Sequence, residues 1–289
     1  MPPTLPSRYS REPFVESILC ATDFSAAGLN AFAHALMMAL TLRCEFTLFH
    51  AGAGEEADQE WSRIPGVREV LERWGYLEKG SSRREVFEKV AVKVSKVYVQ
   101  TNDALGELAD LLEKEPVDLV VIGTNGDGGA PSWLHHPATH RLARDNRTMT
   151  LFVPCSGGFV SLAHGGFTLR RVLVPVADQP DPHPALTYAF RAAVFSTENT
   201  IEMDMLHVGD EDVEAPRLDL PDRDYLRWQL LTRTGNVPDQ ILRTAAELHS
   251  DLIAMTTDGA SGLLGALRGS ITQRVIREAA CPVLAVPVS

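Results

Sequence analysis

Positive charge is scarce in this 289-residue chain: 27 Lys and Arg face 38 Asp and Glu, leaving a formal charge of -11. That balance opposes a general nucleic-acid-binding surface or attachment to an anionic membrane, and it favours solubility. Cysteine is scarce too. Cys20, Cys44, Cys155 and Cys281 are widely spaced, and three of them lie in or beside apolar runs. This excludes a disulfide framework or a zinc knuckle and suits small core residues in a reducing compartment. Long apolar runs are missing: nothing approaches the roughly eighteen residues of a membrane span. Residues 1–13 hold four prolines and no apolar signal-peptide core. A cytoplasmic location is therefore expected, with neither nucleic acid nor membrane as partner. Catalytic signatures are missing as well. The chain has no nucleophile elbow, no Walker A lysine, no Cys/His pairing and no Gly-x-Gly-x-x-Gly after a first strand, so a dinucleotide dehydrogenase is excluded.

What is present is ordinary globular material, 45% hydrophobic and 22% charged, long enough for two cores. Residues 17–23 form a short apolar run of the kind a fully buried strand shows. Ser25 then caps a helix whose apolar residues Leu29, Phe32, Ala33, Leu36, Met37 and Leu40 share one face. Strands follow at 44–50, 92–100, 117–123 and 149–153, with helices at 105–112 and 134–145 and a loop with one or two helices across 52–90. The alternation predicts a parallel doubly wound sheet.

The same order then begins again. Residues 171–177 match the first strand, 186–194 the first helix, 201–207 the second strand, 251–256 the fourth and 284–287 the last. The copies are offset by 157 at His50/His207 and by 133 at Asp118/Asp251, so the second is 24 residues shorter between its second and fourth strands. It has lost most of its second helix there and keeps an acidic loop, residues 210–224, before a strand at 227–234. A repeat this long implies duplication of a whole domain. The expected division is 14–156, a linker at 157–170 and 171–289, the linker reading as a β-hairpin: two apolar runs, 159–162 and 167–170, around Gly165-Gly166.

The most informative stretch is 251–288: a buried strand, a glycine-rich loop, a helix opening at Gly269-Ser270 and a final strand. Glycines let backbone N–H groups approach an anion, and the helix start aims its positive end at the same point. With Gly259, nine residues, Gly269-Ser270 and then Cys-Pro-Val-Leu-Ala-Val-Pro, the chain resembles a tandem universal stress protein over residues 15 to 289. The resemblance implies two five-stranded, adenine nucleotide alpha hydrolase-like α/β domains packed as an internal pseudo-dimer through their last strands, 150–153 and 283–286. It also implies ATP or ADP, with Mg²⁺, as ligand in members that bind nucleotide, held by the glycine loop and by an Asp ending the first strand.

Each copy departs from that pattern. The first keeps Thr22, Asp23, Gly123 and Gly126 but has His136-Pro137 where Gly-Ser is expected, and a proline supplies no N–H to a phosphate. The second keeps Gly259, Gly269, Ser270 and Ile271 but has Thr256 for the first Gly and Ala177 for the Asp, with Val176 before it and Asp178 one residue late. The resemblance therefore leaves three functions open: a non-catalytic stress-response or regulatory protein holding ATP or ADP in its second domain, a weak Mg-dependent ATPase, or a nucleotide-free scaffold for an unknown protein partner. A homodimer of tandem chains is compatible with each. His136 and His140, with His135 beside them, have the i, i+4 spacing of two metal ligands on a helix face, but no third ligand is identifiable and a surface helix is the expectation. His50 and His207 are expected to be structural or pocket-lining, and the acidic loop is expected to be solvated.

Overall fold

A computed structural model describes residues 15–23, 25–52, 66–82, 92–124, 148–194, 200–210, 215–218, 220, 225–257 and 271–288. Among these residues are ten strands: β1 (Ser17–Ala21), β2 (Glu45–Gly52), β3 (Val94–Gln100), β4 (Leu119–Thr124), β5 (Met149–Pro154), β6 (Arg171–Pro175), β7 (Ile201–Val208), β8 (Leu226–Arg233), β9 (Leu252–Thr257) and β10 (Val283–Pro287). The described helices are α1 (Ala26–Leu42), α2 (Val67–Arg73), α3 (Ala104–Lys114), α4 (His183–Val194), α5 (Val237–Leu248) and α6 (Ile271–Glu278).

All ten strands form one sheet in the order β3-β2-β1-β4-β5-β10-β9-β6-β7-β8. Within each half every pairing is parallel; at the centre β5 and β10 run antiparallel, with Val283 opposite Phe152, Leu284 opposite Leu151 and Ala285 opposite Thr150. The two halves therefore repeat one strand order about a central seam. That seam removes two edges that would otherwise expose apolar backbone, and β5 is buried along its whole length as a result.

Helices cover both faces, so the strands read as continuous apolar runs and their side chains sort by alternation. Ile18 and Cys20 point into the layer with α1 and α4, whereas Leu19 points into the layer with Leu108, Leu112, Ile241 and Val275 of α3, α5 and α6. Two acids repeated in the sequence hold equivalent strand starts: Asp118 Oδ2 accepts from the backbone N–H of Glu16 (2.8 Å) and Ser17 (3.0 Å), and Asp251 Oδ2 from those of Arg170 (2.8 Å) and Arg171 (2.9 Å).

Two expectations change. Helix α4 begins at His183 and not near Leu186, because Asp181 accepts the His183 N–H (3.0 Å) and so starts the turn earlier. The linker forms a single antiparallel bridge, Val160 to Phe167, and not a hairpin ladder. Within the linker Thr168 N–H donates to Phe159 O (2.8 Å) and Gly165 N–H to Ser161 O (2.8 Å). Other bonds tie it to the first half, Phe159 N–H donating to His34 Nε2 (3.1 Å), Trp74 Nε1–H to Leu162 O (3.0 Å), and Asn30 Nδ2 to Gly157 O and to Pro154 O of β5 (2.9 Å each). The linker thus lies across α1 and buries that helix's outer face, His34 included. The helix expected over 134–145 lies outside the described residues.

Candidate functional site at the strand tips

Each half reverses strand order between its first and fourth strands, and in open α/β sheets ligands bind at the carboxyl ends of strands where such a reversal occurs. Pairing of Ala21 with Ile122, carried on by one residue, sets Thr22 beside Gly123. In the second half, Val172 pairs with Leu252 and Leu173 with Ile253, and that register, carried on by three residues, sets Val176 level with Thr256. The sequence-predicted residues Thr22, Asp23 and Gly123 are thereby brought together, as are Val176, Ala177 and Thr256. Gly126, Gly259, Gly269 and Ser270, and also His135, His136 and His140, lie outside the described residues. Ile271 is the first described residue of α6 and is 44% exposed.

Two histidines brace these tips. Thr22 N–H donates to Phe49 O (3.0 Å) while His50 Nδ1–H donates to Thr22 O (2.8 Å). Val176 N–H donates to Leu206 O (2.9 Å) while His207 Nδ1–H donates to Val176 O (3.2 Å). Both histidines are buried and tied to main chain, the structural role the sequence suggested. Because Thr22 and Val176 are equivalent, Ala177 stands in the place of Asp23, and exposed Asp178 follows it.

Asp23 itself is engaged locally. Its Oδ1 accepts from Ser25 N–H (3.0 Å) and Ser25 Oγ–H (2.6 Å), and Ser25 Oγ accepts from Gly28 N–H (3.1 Å), capping α1. Gly123 serves close packing: a Cβ there would lie 2.5 Å from Ala27 C and 2.7 Å from Gly28 N. A Cβ on Gly28 would meet Asp23 Oδ1 at 2.7 Å and Thr22 Oγ1 at 2.8 Å. In the second half this contact is rebuilt with larger residues. Thr256 replaces Gly123, and its Oγ1 accepts from the N–H of Ala185 (3.2 Å), the counterpart of Gly28 at the 157-residue offset. An N–H of the first helical turn is thus satisfied in both halves, by the N-cap serine in one and by a threonine from the neighbouring strand in the other. Sequence reasoning named Gly123 and Thr256 but missed Gly28 and Ala185; the signal was the paired change of two glycines at matching offsets.

Among the described residues no group of three His, Cys, Asp or Glu side chains is placed to hold a metal ion. Nor do three of the cysteines offer a nucleophile: burial pushes Cys44 and Cys281 up to about 12 and raises Cys20 further, which disfavours the thiolate. No described helix is long and apolar enough to cross a membrane.

The model of the universal stress protein family matches residues 15–154 and 220–287, together well over half of the chain. The chain belongs to the universal stress protein family. Solved structures agree on the fold. A universal stress protein from Archaeoglobus fulgidus DSM 4304 is 16% identical, with 95% of this chain and 97% of that one aligned at a TM-score of 0.57. A structure from Pseudomonas aeruginosa UCBPP-PA14, assigned to the same family, is 15% identical over 94% of this chain and 93% of its own, at a TM-score of 0.61. A universal stress protein in complex with cAMP aligns with 49% of this chain and 99% of its own, at 22% identity and a TM-score of 0.28. No match is found among curated proteins. In this universal stress protein the alignment with the first of these structures spans both sheet halves, which share one strand order.

Proposed function

We propose that this universal stress protein acts without catalysis, as a stress-response regulator whose second half holds an adenine nucleotide, ATP or ADP with Mg²⁺, across the tips of β6 and β9. The observation that carries the reading is the strand-order reversal between β6 and β9, whose register, Val172 with Leu252 and Leu173 with Ile253, carries on to Val176 level with Thr256. Val176, Ala177 and Asp178 would line the base and ribose. Thr256, Gly259, Gly269, Ser270 and Ile271 would face the phosphates, whose charge Mg²⁺ would neutralise. His207 Nε2, buried and without a hydrogen-bond partner among the described residues, is a polar group that a ligand hydroxyl would satisfy. The first half fits a nucleotide less well, since Asp23 is turned onto Ser25.

The scaffold reading has its own support: Gly123 and Thr256, two positions of the nucleotide motif, are both accounted for by helix packing. One pair of measurements separates the readings. Freshly purified protein is denatured and the supernatant chromatographed for nucleotide, and the refilled protein is melted with and without MgATP. Ligand at about 100 times its dissociation constant adds about 2.7 kcal/mol of stability, a shift of several degrees. The shift should vanish in Ser270→Ala and survive in Asp23→Ala. No released nucleotide together with no shift at millimolar MgATP would leave the scaffold; turnover of ATP that is lost in Ser270→Ala would instead establish the weak ATPase.

A further inference from the structure

The sheet has two outer edges, β3 and β8, and they are protected differently. On the α1 side of β3 lies α2, with Val67, Val70 and Leu71 buried and Trp74 packed just beyond them. The second half has no counterpart of α2 among its described residues; Leu218, Leu220 and Tyr225 are what pack against the same layer there. Among the described residues nothing pairs with the outer side of β8. Trp228 is 49% exposed and Leu230 44%, two of the three large exposed hydrophobic residues among those described.

The bare residues are also the ones whose backbone faces outward. Ile201 N–H donates to Tyr225 O (2.9 Å) and Gly209 N–H to Arg233 O (3.0 Å), so the odd-numbered residues of β8 turn their backbone groups to β7. By the alternation of a parallel ladder, Leu226, Trp228, Leu230 and Thr232 turn theirs to the open edge. Trp228 and Leu230 stand opposite Met203 and Met205 of β7, as Val94 and Lys96 stand opposite Phe46 and Leu48 of β2. Lysine is a residue that protects an edge from pairing, and β3 carries one where β8 carries Leu230. Among the described residues, one edge carries a charge and a helix beside it, and the other carries neither.

Charge selects the occupant. Exposed Arg227 and Arg233 flank the two apolar residues and lie on the opposite face of the strand, in a chain whose net charge is -11. A second copy pairing antiparallel about Leu230 would set Arg227 against Arg233, which opposes self-association. We propose that β8 is a docking edge for an extended acidic segment of another protein, added as a further strand with apolar side chains on Trp228 and Leu230 and carboxylates against Arg227 and Arg233. The segment would be recognised by backbone pairing and by this alternation, as in other cases of strand addition.

The test uses the full chain and a fluorescein-labelled peptide alternating glutamate with valine. Saturable binding is expected by anisotropy, with hydrogen-exchange protection of residues 226–232. Leu230→Lys, which reproduces the β3 pattern at an exposed position, should weaken binding by at least about tenfold, and so should Arg227→Glu combined with Arg233→Glu. A lysine-valine peptide should not bind, nor should the acidic peptide when its edge-facing amides are N-methylated. Unchanged melting temperatures of the variants establish that their fold is intact. Absence of binding at millimolar peptide, or binding that Leu230→Lys leaves unaltered, overturns the proposal. A chain dimer seen by sedimentation and abolished by Leu230→Lys overturns it in favour of a second copy. None of these outcomes depends on nucleotide.

Discussion

Acid should weaken this protein through one buried side chain, His34. Its imidazole sits inside α1 beneath the linker, donating Nδ1–H to Asn30 O (2.8 Å) and accepting Phe159 N–H at Nε2 (3.1 Å), with the Phe159 ring edge-on at 4.7 Å. Gly158 passes so close that a Cβ there would lie 2.3 Å from Nε2. A proton on Nε2 would remove the acceptor and leave a charge without water, and burial lowers the His34 pKa from 6.5 to about 4 against the raising effect of the Asn30 bond. Above pH 6.5 the ring is neutral in both folded and unfolded chains, and its contribution is fully present. Between pH 6.5 and 4 the unfolded chain binds the extra proton, so stability falls as the pH falls. Below about 4 the loss is complete. A displacement of this size corresponds to about 3 kcal/mol. His34→Gln retains an oxygen acceptor for Phe159 without titrating in this range. Urea unfolding of the native chain and of the variant at pH 7, 6, 5 and 4 isolates the effect, since carboxylates common to both cancel in the difference. The native chain should lose about 3 kcal/mol more than His34→Gln over that interval. A difference that does not vary with pH refutes the reasoning.

Two substitutions at the strand tips test the packing assigned to them. Gly123→Ala drives a methyl group into the Ala27 backbone and should cost about 1–3 kcal/mol in thermal unfolding, with no loss of any nucleotide response belonging to the second half. Thr256→Val keeps the shape but removes the acceptor of Ala185 N–H, which should cost about 1–2 kcal/mol and speed exchange of that amide. An unchanged Ala185 exchange rate would detach Thr256 from α4.

Much of the architecture is legible because strands buried on both faces become uninterrupted apolar runs, as in 17–21, 119–124 and 252–257. Ser25 marks the start of α1 by the same directness. Less legible is what a second layer does to a helix: His34 is not among the apolar residues that mark the inner face of α1, and only the linker folded over it explains a buried histidine. The glycines are ambiguous for a different reason, since a residue without a Cβ suits a phosphate and a neighbouring backbone equally well. Gly123 meets the second need, and the change to Thr256 becomes intelligible only with Ala185 in view.

A division runs through the repeat. The side chains that recur in both halves bind main chain: Asp118 and Asp251 at the strand starts, His50 and His207 at the tips. The positions that differ lie at strand tips and edges: Asp23 against Ala177, Gly123 against Thr256, Lys96 against Leu230, and α2 against a β8 that has no such helix among the described residues. The recurring bonds fix strand register and tip geometry irrespective of what the tips hold, because each is complete within its own half. The two halves can therefore present different surfaces on one frame, with a candidate ligand site at the tips of β6 and β9 and a candidate docking edge at β8. Loss of binding at one should leave the other intact, and that independence is the physical content of dividing the two roles between separate ends of the second half.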